Sequence, residues 1–206
     1  MYPPVDTQFY SPRLPISIVA LPNDFEARAM REMLEMYFNC VVTVNWIGTP
    51  ADFLTVLGQG ESSPRYLIIA GHGGEIGYYL GEYIPEIDTS MLREQHMPPE
   101  AIAPVVNLPG CTVVSTACYG GTEAMGKAFI KNGKIGAYIA CRDAPDGTDM
   151  PVFLVNFFFF VLRKKLSDRE AWLKAMRVVD NPVIYQISAY YGDGSIEHYD
   201  PEVQLP

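Results

Sequence analysis

The chain has 206 residues, of which 49% are hydrophobic and 19% charged. That is ample material for one domain with a real core, and it excludes a disordered tail or linker. Lys and Arg total 15 against 24 Asp and Glu, a formal charge of −9, which is the wrong sign for a nucleic-acid surface or an anionic lipid face. The longest apolar run, Pro151 to Leu162 with Asn156 inside, falls short of the ~20 residues of a membrane span. The start, MYPPVDTQFYSPRLP, lacks the basic-then-apolar order of a signal peptide. Cys40, Cys111, Cys118 and Cys141 form no CxxC pair, so reduced thiols and a cytoplasmic setting are expected. A single domain over residues 1–206 is expected, with no nucleic-acid or membrane partner.

In chain order, Leu14 to Leu21 is an apolar run bounded by prolines, the pattern of a buried strand. Asn23 and Glu26 fit a capping box, and Phe25, Ala29, Met33, Met36 and Tyr37 fall at helical spacing, predicting the buried stripe of a first helix. Val41 to Ile47 is β-branched and aromatic, a second strand. Thr49-Pro50 opens a helix through Phe53 and Leu57 that stops at Gly58 or Gly60. Arg65 to Ala70 is a third strand, running into Gly71-His72-Gly73-Gly74. Tyr78 to Ile87 suggests a small hairpin, and Met91 to Val106 is helical in part, interrupted by Pro98, Pro99 and Pro104. Cys111 to Ser115 is a fourth strand, ending in Thr116-Ala117-Cys118-Tyr119-Gly120-Gly121. A helix through Ala124 and Phe129 closes at Asn132-Gly133. Ile135 to Cys141 makes a fifth strand, Pro151 to Val179 a helix broken near Ser167-Asp168, and Val183 to Tyr191 a last strand. Apolar strands joined by helices predict an α/β fold with a mostly parallel sheet of about six strands, covered on both faces.

Ligand sites in such sheets lie beyond the carboxyl ends of the strands, where His72 and Cys118 both fall. A thiol with an imidazole to take its proton is a nucleophilic dyad. The flanking glycines let a substrate approach the backbone and free amides for a developing oxyanion.

These segments resemble the caspase-like (clan CD) cysteine peptidases, the gingipain- and clostripain-like bacterial members more than true caspases. RYLIIAGHGG is similar to that family's strand ending in His-Gly, and VVSTACYGG to its strand ending in Ala-Cys-x-x-Gly. The separation of His72 and Cys118 is close to the roughly 50 residues found in caspases. ISAYYGDGSI is similar to the closing segment of gingipain-like members, with Gly194 where proline is usual. The resemblance implies a caspase-like three-layer sandwich and a cysteine endopeptidase. It makes Cys118 the nucleophile and His72 the general base and acid, with the Gly73 and Cys118 amides holding the oxyanion. No carboxylate third member is implied. Caspases carry glutamine and arginine where Thr116 and Tyr119 stand, and clostripain-like enzymes carry an acidic residue at the Thr116 position. Thr116 and Asp143 are therefore the expected substrate-binding positions, Asp143 as the nearest acidic group.

No cofactor is expected. Calcium at Asp143, Asp146 and Asp149 is the alternative to no cofactor; their spacing is not that of an EF-hand, and Asp149 before Pro151 reads as a helix cap. Zinc on His72 and Cys118 lacks further ligands at a usable spacing. His96 is expected at the surface, and His198 to have a raised pKa beside Glu197 and Asp200. A peptide or protein substrate is expected, with a regulatory partner or larger assembly as the control. Gly121 to Lys134 leaves no loop for maturation cleavage, so Tyr78 to Pro104 is the expected covering element. The one tight basic run, Arg163-Lys164-Lys165, is too small for a polyanion switch.

Two alternatives use the same residues. A dienelactone-hydrolase-type α/β-hydrolase would place Cys118 on a nucleophile elbow, with His72-Gly73-Gly74 as oxyanion loop and Asp168 and His198 completing a triad. A non-catalytic caspase-like binding scaffold would need neither His72 nor Cys118.

Overall fold

The computed structural model describes residues 13–22, 26–178 and 182–202. A central seven-stranded sheet contains β1 (Leu14–Ala20), β2 (Cys40–Trp46), β3 (Tyr66–Ala70), β7 (Thr112–Ser115), β8 (Ala137–Cys141), β9 (Ile187–Tyr191) and β10 (Ile196–His198). Their order across the sheet is β10-β9-β8-β7-β3-β1-β2. The five strands from β2 to β8 are parallel, and β9 pairs antiparallel with both β8 and β10. β4 (Gly73–Gly74), β5 (Gly77–Tyr79) and β6 (His96–Met97) form a second, antiparallel sheet.

Because successive strand residues face opposite sides, the strands feed two cores. Ile16, Ile18, Ile68, Val114 and Ile139 join Met30 and Leu34 of α1 (Glu26–Phe38), Phe153 and Phe157 of α5 (Asp149–Phe158) and Trp172 of α6 (Asp168–Met176). Val19, Leu67, Ile69, Val113 and Tyr138 join Phe53 of α2 (Pro50–Leu57), Ile102 of α3 (Pro99–Ile102) and Phe129 of α4 (Glu123–Ile130). Apolar residues on both faces explain why the strands read as continuous runs. The expected mostly parallel sheet with helices on both faces is what the fold shows.

Several elements depart from expectation. In α1 the buried stripe is Ala27, Met30 and Leu34, while Ala29 is exposed and Met36 and Tyr37 are 70% and 61% exposed. Met33 packs against the core as expected, but the helix carries apolar residues around much of its circumference, and spacing alone turned the rest of the stripe too far round. Asn23 and Phe25 lie outside the described residues. The helix after Thr49 forms as predicted, its cap completed by a reciprocal bond with Asp52.

No hairpin spans Tyr78 to Ile87. Instead Gly77–Tyr79 folds back on Gly73–Gly74 and pairs forward with His96–Met97. Only Pro99–Ile102 of the Met91 to Val106 segment is helical. Tyr78, Leu80 and Met97 of the expected covering element are buried in the second core, so this segment is built into the domain beside His72. After α5 a π-helical turn, Phe159–Arg163, leads to the break, and Ser167 with Glu170 caps α6. The sheet gains a seventh strand because Asp193-Gly194 turns the chain back from β9 into β10: Gly194 adopts φ +91° and its N–H donates to the Tyr191 carbonyl at 2.9 Å.

Candidate active site at the carboxyl edge of the sheet

β3 and β7 are hydrogen-bonded neighbours whose last register pair is Ile69↔Ser115. The Thr116 N–H extends the ladder by donating to the Ile69 carbonyl at 2.9 Å. His72 and Cys118 each stand three residues beyond that last pair. The spacing between them in sequence is thus the register offset of the two strands, and the chain delivers both to the same level of the same edge.

Backbone contact carries the juxtaposition past the strands. A Cβ on Gly73 would overlap the Cys118 carbonyl oxygen and come within 3.2 Å of the Ala117 Cβ. The glycine lets the His72 loop lie directly on the Cys118 turn. The Tyr79 N–H donates to the His72 carbonyl at 3.0 Å, and Gly73 opposes Tyr78 in the same ladder. Gly73 is therefore at a non-hydrogen-bonded position, with its N–H directed away from β5. His72, Tyr79 and His96 lie in one row across the small sheet. The Tyr79 and His96 rings meet edge to face at 5.3 Å. His72 is exposed, and His96 is half-buried with Nδ1 2.6 Å from the Glu94 carbonyl.

Cys118 is the half-buried member of four free cysteines; Cys40, Cys111 and Cys141 are buried. Burial raises the Cys118 thiol pKa above its ordinary value; its own backbone amide opposes this, and the carboxylates of Glu26 and Asp143 add to the rise. A thiol held protonated needs a base to become a nucleophile. Burial lifts the other three further, Cys40 and Cys141 to about 11 and Cys111 to about 12.

The turn carrying Cys118 is tied down on every side. Gly120 N–H donates to the Ala117 carbonyl at 3.2 Å, and Tyr119 N–H to the Asp143 carbonyl at 2.9 Å. Tyr119, next to the candidate nucleophile, takes the left-handed conformation at φ +57°, which a non-glycine residue adopts at some cost. From beneath, the Tyr138 hydroxyl donates to the Gly120 carbonyl at 2.6 Å and that of Tyr190 to the Gly121 carbonyl at 2.7 Å. Nothing in the sequence marks these tyrosines as different from ordinary aromatic strand residues.

Other expected positions fare differently. Thr116 is 6% exposed, with its hydroxyl 3.4 Å from the Ile69 carbonyl. This ties it to the end of the sheet, two residues before Cys118. Asp143 is exposed beside the Cys118 turn, one oxygen accepting from the Ala144 N–H at 2.8 Å. Asp149 begins α5 instead of capping it, and accepts from the Asp146 N–H at 3.1 Å. Among the described residues no three His, Cys, Asp or Glu side chains come together as metal ligands, so Asp143, Asp146 and Asp149 do not converge. His198 pairs through Nδ1 with the Ser188 hydroxyl at 2.7 Å. Its pKa is lowered, contrary to expectation: burial and Arg142 outweigh Glu123, while Glu197 is engaged by Arg169 at 2.7 Å.

Asp168 sits at the opposite, amino edge of the sheet. It pairs with Arg65 at 2.6 Å and accepts from the Tyr66 hydroxyl at 2.8 Å and the Thr112 hydroxyl at 2.5 Å. Tyr66 and Thr112 begin β3 and β7, whose far ends lead to His72 and Cys118. An acid there cannot orient a histidine for Cys118, which removes the α/β-hydrolase reading. No described helix is long and apolar enough to cross a membrane.

No protein-family model and no curated protein matches the chain. Among solved structures it is similar to a secreted C11 cysteine protease from Bacteroides thetaiotaomicron in complex with an irreversible peptide inhibitor, at 13% identity and a TM-score of 0.49, over 88% of this chain and 67% of that one.

Proposed function

We propose that this chain is a cysteine peptidase of the caspase-like kind, working through a His72/Cys118 dyad. The observation that carries the reading is the matched register: a half-buried thiol and an exposed imidazole at the same level beyond adjacent parallel strands. In the proposed reaction His72 takes the Cys118 proton as Sγ attacks the scissile carbonyl carbon. The Gly73 and Cys118 amides receive the negative charge that develops on the carbonyl oxygen. Collapse breaks the C–N bond, the imidazolium gives its proton to the leaving amine, and a thioester remains on Cys118. Water, deprotonated by His72, attacks the thioester; the acid leaves and the thiol is reprotonated.

The carboxylates of Glu26 and Asp143, which both act on the Cys118 thiol, make the entrance acidic. That favours substrates with a basic side chain before the scissile bond, with Asp143 as its partner. The covering helix α4 occupies most of the stretch between Gly121 and β8, which supports action as one uncut chain. The test is hydrolysis of fluorogenic peptides with varied residues before the cleavage site. The reading expects turnover that Cys118→Ala abolishes, while Cys40→Ala and Cys141→Ala retain it. Full activity in folded Cys118→Ala overturns it, and two fragments split between residues 121 and 134 in active enzyme would refute single-chain action.

A further inference from the structure

Beneath the Cys118 turn lies a set of buried hydroxyls that the peptidase chemistry does not itself require. The Tyr138 hydroxyl has one proton, and it goes to the Gly120 carbonyl at 2.6 Å. The 2.6 Å contact between the Tyr78 and Tyr138 oxygens therefore has Tyr78 as donor, since a phenol oxygen whose proton is committed can only accept. Ser115 lies beside both phenols, with a single proton that serves at most one of them, and its oxygen accepts from the Ala117 N–H at 3.3 Å. The hydroxyls stand between the amide just before Cys118, which Ser115 accepts, and the carbonyl two residues after it, which Tyr138 holds. They bracket the nucleophile.

Its members come from three parts of the fold. Ser115 ends β7, Tyr138 lies in β8, and Tyr78 belongs to the small sheet that begins just after His72. Both tyrosines are 0% exposed, so no water competes for these bonds. The rings are seated independently of their hydroxyls: Phe129 stacks on Tyr138 at 4.1 Å, and Phe53 meets Tyr78 edge-on at 5.5 Å. Gly120 is part of the arrangement, because a Cβ there would stand 2.9 Å from the Ser115 oxygen and 3.3 Å from that of Tyr138. Apolar packing alone would be met by phenylalanine at either position. The hydroxyls add a directional link between the His72 hairpin and the Cys118 turn, across sheets that share no strand.

We propose that Tyr78 and Tyr138 are positioning residues whose linked hydroxyls hold the His72 hairpin and the Cys118 turn at one spacing. The proposal rests on the dyad reading. It makes the reactivity of Cys118 depend on two hydroxyls that never touch substrate. With the Tyr138 oxygen gone, the Gly120 carbonyl loses its donor and Tyr78 its acceptor, so the turn is free to shift relative to the hairpin. Small displacements of a nucleophile from its base carry large kinetic consequences.

The experiment uses iodoacetamide, with adducts at Cys118 counted by mass spectrometry over a range of pH, on wild type, Tyr78→Phe, Tyr138→Phe, the double variant and His72→Ala. The proposal expects each phenylalanine variant, folded by near-ultraviolet circular dichroism, to lose roughly tenfold in alkylation rate at neutral pH, with the midpoint of its pH profile moved to higher pH. The double variant should lose little more than either single one, because one link is broken in all three. Unmoved rates and midpoints in the phenylalanine variants, while His72→Ala slows alkylation, overturn the relay and leave the dyad standing. Losses that simply multiply in the double variant also overturn it. A His72→Ala variant as fast as wild type overturns the dyad reading itself.

Discussion

The two edges of the central sheet are built from the same strands and treat polar side chains in opposite ways. At the amino edge, Asp168 is saturated by Arg65, Tyr66 and Thr112, and its charge goes into closing α6 onto β3 and β7. At the carboxyl edge the partners are given to the backbone. Tyr138 and Tyr190 bond the Gly120 and Gly121 carbonyls, and Asp143 accepts the Tyr119 amide through its main chain, while His72 stays exposed and Cys118 half-buried. Satisfying side chains makes a joint; satisfying the backbone beneath a side chain leaves it fixed and reactive. On the proposed dyad reading, the contrast is how one fold gives one acid a structural role and one thiol a chemical one.

The largest effect that can break this comparison is loss of the nucleophile. Cys118→Ala is expected to reduce peptide hydrolysis by roughly a thousandfold or more with thermal stability little changed, because the side chain is half-buried and small. Next comes the amino edge. Asp168→Ala removes the acceptor shared by three donors, and Arg65 is 44% exposed, so solvent screens part of the loss. About 1–2 kcal/mol of stability should go in denaturant titration, with hydrolysis per folded molecule unchanged. Loss of activity without loss of stability would mean that the edges do not divide the labour as argued.

A smaller effect separates two roles of Asp143. Its carboxylate contributes to the raised pKa of Cys118, so Asp143→Asn should let the thiolate form at lower pH. The Cys118 alkylation profile should move to the acid side, with faster labelling at neutral pH. If Asp143 also receives a basic substrate side chain, the same variant raises KM for peptides with Lys or Arg before the cleaved bond. A profile moved to the alkaline side would contradict the assigned sign.

The carboxyl edge was legible in the sequence where it depended on local chemistry. Apolar runs located β3 and β7, and His72 and Cys118 were read as standing just beyond their carboxyl ends. Thr49 announced its helix as a capping residue, and Ser167-Asp168 marked the break before α6. What depended on the choice of face or on distant partners was not legible. The stripe of α1 was assigned to Met36 and Tyr37 because a helix with apolar residues all round offers several faces at the same spacing. The tie of Thr116 to Ile69 requires the register. The pKa of His198 was given the wrong sign because its sequence neighbour Glu197 turns to Arg169, while Arg142 comes from another loop. Tyr78 and Tyr138 read as aromatic strand residues, and only the packing of two sheets brings their hydroxyls together.

The central claim is that His72 activates Cys118 for attack on a peptide carbonyl. The most direct measurement is the rate and site of labelling by an irreversible peptide-based thiol inhibitor with a basic residue before the warhead, in wild type, Cys118→Ala and His72→Ala. A single adduct on Cys118 is expected in wild type, none in Cys118→Ala, and labelling slowed by roughly a hundredfold in His72→Ala. An adduct on Cys40, Cys111 or Cys141, or equal rates with and without the imidazole, would contradict it.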